Sequence, residues 1–258
     1  MKTLQGENPE TPKRRTNENL KTLKGKTRLQ YIWDYYKLPL AVLCIVLYVL
    51  VYILYSNLTH RESVLYTALV NVNAGETLTE ALSSGFLDYM NLNPSRNQSE
   101  LYAGLYLTDD ALSENHQYTY ASRMKILAMI DGELLDVILM NREAFDAFSQ
   151  NGYLYDLEEL LSQTDSGLYD TIRPDLVANI VILEDNQEDL LFDTSASYHA
   201  VTEKHNYGID LSQTRLIGSA GFGEPVYFGI IANSPRTDIA VEYLKYLYDQ
   251  KSSERNSP

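Results

Sequence analysis

Histidines come first among residues able to do chemistry, because imidazole binds metals and carries protons near neutral pH. The chain has four: His60, His116, His199 and His205. His199 and His205 flank Glu203, but their spacing is not the i, i+4 pattern that puts two zinc ligands on one helical face. No cysteine accompanies them, so surface positions are expected and no metal site. Asp185-Asn186-Gln187-Glu188-Asp189 has the acidic density of a calcium loop, yet Leu190 stands where that loop requires glycine. A solvated acidic turn is expected there. Gly218-Ser219-Ala220-Gly221-Phe222-Gly223 is glycine-rich but fits neither the dinucleotide fingerprint nor the phosphate-binding loop. It is either the rim of a cleft or an ordinary loop. No Ser/His/Asp grouping and no carboxylate pair stands out. The chain reads as a non-enzyme with no cofactor.

The elements that must position any site begin with an apolar run. Residues 38–55, LPLAVLCIVLYVLVYILY, carry no charge. As a helix they would extend roughly 27 Å, close to the hydrocarbon thickness of a bilayer. Residues 1–37 hold nine of the 21 Lys and Arg but four of the 35 Asp and Glu, leaving a strong acidic excess after the run. The positive-inside rule then predicts a cytoplasmic N-terminus, one span and an extracytoplasmic C-terminal domain in the cell membrane. The basic flank is too long, and the exit Tyr55-Ser56-Asn57 too unlike a cleavage site, for a secretory signal. An uncleaved anchor is expected, with the lone Cys44 as a small apolar residue of the span. Tyr31, Trp33, Tyr35, Tyr36 and Lys37 have the composition of an interfacial belt. Tyr48, Tyr52 and Tyr55 share one helical face, which could meet a membrane protein partner or bond locally.

Four segments follow: a basic tail and juxtamembrane segment (1–37), the span (38–58), an extracytoplasmic domain (61–250) and a polar tail (251–258). The first 25 residues and the last eight have the composition of disordered chain. The acidic excess argues against nucleic acid as a partner. In the outer domain strand-like segments at 64–72, 101–107, 136–140, 179–183 and 226–232 alternate with helix-like ones at 78–90, 120–130, 143–149, 157–161 and 237–248. Such alternation predicts an α/β fold with a mostly parallel open sheet and helices on both faces.

Two stretches carry a family resemblance. MKILAMIDGELLDVILMNREAFDAFSQNGYLYDLEELL, from Met124 to Leu161, resembles a segment of bacterial extracellular solute-binding proteins. In these a helix ends in Gly-Glu, a strand opens with Asp-Val, and a short helix and G-x-L-x-D-L follow, here Gly152, Leu154, Asp156 and Leu157. The second, from Val226 to Asp249, resembles the late strand, the Asn-Ser turn and the A-x-x-F-x-x-F-L helix, here Ala240, Tyr243, Tyr246 and Leu247. The resemblance implies a lobe of the type II periplasmic-binding-protein fold, with a ligand between lobes at the carboxyl ends of parallel strands. Residues 162–225 are too few for a usual second lobe, so that lobe is reduced or absent. The indole platform of sugar binders is missing too, since the one Trp is the juxtamembrane Trp33.

Asp136, opening the third strand, reads as a structural cap. Asn141, Arg142 and Glu143 follow that strand's carboxyl end, where α/β sheets bind ligands. A cleft bordered by Asn141, Arg142, Phe145, Gly221, Phe222 and Gly223, with tyrosines as stacking surfaces, would bind or sense a small solute. The alternative is an accessory or interaction protein that keeps the fold without a ligand.

Overall fold

The computed structural model describes residues 26–59, 61–108, 116–192 and 197–249. The two tails and His60 lie outside them. The chain divides into two units, residues 1–60 and 61–258. In the first, helix α1 (Lys26–Thr59) begins in the basic flank and continues through the apolar run. Its stretch Lys37–Tyr55 is long and apolar enough to cross a membrane, with mean hydropathy 2.6. Pro39 lies inside the helix at the polar–apolar boundary, where it removes one backbone bond. Tyr48, Tyr52 and Tyr55 are exposed along it, as is Cys44.

The second unit is built on one six-stranded sheet, ordered β2-β1-β3-β6-β5-β4. The strands are β1 (Glu62–Val70), β2 (Asn97–Leu105), β3 (Val137–Met140), β4 (Leu176–Asp185), β5 (Ala200–Asp210) and β6 (Tyr227–Ile230). The helices are α2 (Glu76–Tyr89), α3 (His116–Asp131), α4 (Arg142–Gln150), α5 (Leu157–Thr164), α6 (Ser166–Ile172), α7 (Gln187–Phe192), α8 (Arg215–Ser219) and α9 (Thr237–Asp249).

The α/β class holds, but the expected mostly parallel sheet is corrected to a mixed one. β2, β1 and β3 are parallel; β6 runs antiparallel to β3, β5 to β6 and β4 to β5. Strand direction leaves no mark on residue type. β3 and β6 are each buried at every position, the signature of a central strand in either orientation. The unanticipated strand is β5, AVTEKHNYGID. Its first half is exposed and polar because it pairs with β4 as an arm of the sheet and meets β6 only through Ile209 and Asp210.

Alternate residues of the central strands face opposite sides, as the strand period requires. Leu65, Leu69, Val137 and Leu139 join α2, α5, α6 and α9 in one core. Ala68, Val70, Ile138 and Met140 join α3 and α4 in the other. Helix α9 anchors on α2, where the buried Tyr243 donates its hydroxyl to the Leu82 carbonyl at 2.9 Å and its ring meets Phe86 edge-on. Gly208 on β5 is required by close approach, since a Cβ there would lie 2.5 Å from the Phe145 ring.

Asp136, at the entrance to β3, is fully buried and structural. It accepts from the Tyr66 amide (2.8 Å), the Ser234 hydroxyl (2.6 Å) and Arg236 Nε (2.9 Å). The Arg236 guanidinium lies over the Tyr66 ring at 4.7 Å. The acidic run expected as a turn ends β4 and opens α7. Asn186 within it is buried, donating to the Ser197 carbonyl and accepting from the His199 amide.

His205 links the β4–β5 arm to α5. Its Nδ1 meets Asp156 at 2.8 Å, while another oxygen of Asp156 caps α5 by accepting from the amides of Glu158 and Glu159. The hydrogen bond to Asp156, then that to Glu203, raises the imidazole pKa above its ordinary 6.5. A raised folded-state pKa contributes stability present in full below the unfolded value and lost as pH rises through the folded one. NMR titration should therefore find His205 above 6.5, with stability falling across that window, and Asp156→Asn should reduce both effects. An unperturbed His205 titration would refute the link.

Candidate functional site

The three parallel strands end side by side, and their carboxyl ends are tied by one residue. Asn71, directly after β1, takes a left-handed backbone (φ 58°), which Asn tolerates better than most side chains. Its Oδ1 accepts from the Leu107 amide at 2.8 Å, and its Nδ2 donates to the Leu107 carbonyl at 2.6 Å. The same Nδ2 reaches Asn141 Oδ1 at 3.1 Å. Asn141 follows β3 and caps α4, accepting from the Ala144 amide at 3.1 Å. One amide thus fixes the chain after β2 and the start of α4 against β1.

Beside this hub lies a cavity of about 550 Å³, within the size range of small-molecule sites. Asn71, Asn73, Tyr106, Tyr118, Asn141 and Glu143 provide its polar and aromatic lining, joined by Ala103, Gly104 and Leu105. Tyr106 and Tyr118 are partly exposed, at 37% and 52%. The Tyr118 hydroxyl donates to the Gly104 carbonyl, and Gly104 adopts φ 72° beneath it. Glu143, in the first turn of α4, accepts from the Thr108 hydroxyl at 2.6 Å. This is the carboxyl edge of parallel strands, where open α/β sheets take ligands.

Of the six residues the sequence suggested, Asn141 lines the cavity and the others do not. Arg142 pairs with Asp146 at 3.0 Å, and that contact raises its pKa further; its guanidinium rests over the rings of Phe145 and Tyr227. Phe145 is fully buried, stacked on Tyr227 with centroids 5.1 Å apart. Gly221 and Gly223 are exposed in the loop after α8, while Phe222 is partly buried against the core shared with α9. Glu143, noted beside them in the sequence, does reach the cavity. Asn71, Asn73, Tyr106 and Tyr118 were not singled out. The one sequence signal for the first two is the polar Asn-Val-Asn that stops the apolar β1 run.

The motif residues behind the family resemblance have structural work. Gly152 takes φ 71° after α4, Leu154 bridges to Ile231, Asp156 caps α5 and Leu157 is buried. Ala240, Tyr243, Tyr246 and Leu247 form the buried face of α9. Among the described residues no group of His, Cys, Asp and Glu is arranged to hold a metal ion. No protein-family model, curated protein or solved structure matches the chain.

Proposed function

We propose that the protein is a membrane-anchored solute-binding or sensing domain, resembling the binding proteins of ABC-type transporters, that takes a small solute at the carboxyl edge of β1, β2 and β3. The observation that carries this reading is the cavity itself, set where α/β sheets bind ligands and built on a hydrogen-bonded hub. Helix α1 serves as the anchor, with the basic flank cytoplasmic and the acidic unit outside. Protease added to intact cells should then remove the unit beyond residue 61 and spare an N-terminal tag. Survival of that unit would reverse the orientation.

The ligand test uses the full-length chain in lipid nanodiscs, its thermal unfolding followed by circular dichroism against sugars, amino acids and short peptides. A ligand at 100 times its dissociation constant adds about 2.7 kcal/mol, a shift of roughly 5–11 °C for a domain of this size. Ala103→Trp, which puts a large side chain on a residue of the cavity lining, should remove the shift.

A second reading, an accessory protein without ligand, is favoured by one observation. The interval that would hold a second lobe forms α6, β4, α7, β5 and α8, and its strands extend the same sheet. A ligand gains most when it is enclosed from both sides. A panel that never moves the transition, alongside capture of one specific membrane partner, would replace the binding reading with this one.

A further inference from the structure

The charge pattern of the cavity narrows what it can hold. Among its described lining residues, Glu143 is the one with an acidic or basic side chain. Its other polar side chains are the amides of Asn71, Asn73 and Asn141 and the phenols of Tyr106 and Tyr118. The Thr108 hydroxyl, 2.6 Å from Oε1, orients the Glu143 carboxylate. Glu143 also sits in the first turn of α4, where its charge offsets the positive end of the helix dipole. The helix start therefore does not turn the cavity into an anion site. Tyr106 and Tyr118 bound the same space, and the face of a phenol ring attracts a cation within about 6 Å of its centroid. A carboxylate and two aromatic rings around one cavity, without a basic side chain in its described lining, suit a positive charge.

We propose that the cavity binds an organic ammonium group, with the Glu143 carboxylate as its counter-ion and Tyr106 and Tyr118 as its aromatic walls. This rests on the reading of the cavity as a ligand site and adds the charge class. The acidic excess of the chain beyond the anchor favours cations over anions near its surface. A neutral analogue loses the attraction of the carboxylate, and an anionic one is repelled by it.

Three probes of equal length separate charge from shape: pentane-1,5-diamine, pentane-1,5-diol and pentanedioate. Their binding is measured by calorimetry to the full-length protein in nanodiscs of zwitterionic lipid, so that the bilayer does not collect the diamine. The diamine should bind at least about tenfold tighter than the diol, the scale of one charge-assisted hydrogen bond, and pentanedioate more weakly still. Glu143→Gln should erase that preference, and Tyr106→Leu should weaken the diamine by a smaller factor. Equal binding of diamine and diol, preference for pentanedioate, an unaltered preference in Glu143→Gln, or no binding of the diamine would each overturn the inference. In any of these cases, a sugar or peptide whose binding is lost in Ala103→Trp would leave the ligand-site reading standing.

Discussion

Asp136→Ala should cost about 3–5 kcal/mol of unfolding free energy, the scale found when one member of a buried ion pair is removed. The carboxylate is fully buried and accepts from Tyr66, Ser234 and Arg236, so its loss strands an amide, a hydroxyl and a guanidinium together. The Arg236 guanidinium is partly screened, its side chain being 25% exposed, which argues for the lower half of that range. The contacts span distant parts of the chain: β1, the entrance of β3 and the turn leading into α9. Chemical denaturation of the single and double variants of Asp136 and Arg236 gives the test. Arg236→Ala alone should cost less, and the double variant should cost less than the sum. Strict additivity would mean that the two side chains do not act as a pair.

The second large effect is expected at Phe145. Its ring is fully buried, stacked on Tyr227 and pressed against the bare face of Gly208, while Arg142 covers it from outside. Phe145→Ala leaves a cavity in the core, a loss of about 3–5 kcal/mol. Phe145→Leu keeps most of the volume and should recover most of the stability. Neither change should touch a ligand-dependent shift, because the ring does not line the cavity at the carboxyl edge. A Phe145→Leu protein that keeps its midpoint but loses ligand response would return this residue to the binding site.

Phe145 shows why site residues were harder to read than elements. It directly follows Asn141, Arg142, Glu143 and Ala144 in the chain, all near the carboxyl end of β3, and sequence position alone does not separate them. Helical geometry does. Asn141 turns its amide to the cap and to Asn71, and Glu143 faces the cavity. Phe145 points into the sheet, and Arg142 lies along the outer flank with Asp146. Similarly, the glycine run near residue 221 had the composition of a rim, but the cavity is bordered instead by residues after β1 and β2. Nothing local in Tyr106 or Tyr118 signals that they line one cavity, since the first follows β2 and the second lies in α3.

By itself the sequence determined what depends on local chemistry and period. It marked the uncharged run of α1, five strands and most of the helices, the structural part of Asp136, and helices on both faces of the sheet. These follow from side-chain polarity repeated at 3.6 or 2 residues, which water and a core sort without reference to distant partners. Only the tertiary structure decided strand direction, the polar arm of β5, and which side chains share the cavity. β3 and β6 have the same buried pattern, yet one is parallel to β1 and the other is not, because direction is set by how the connecting chain returns. β5 is a strand through the ladder it shares with β4, and its charged first half carries no hydrophobic period of its own. The Asn71–Asn141 hub and the cavity beside it join residues far apart in the chain, and such a meeting is created by packing rather than written at either position.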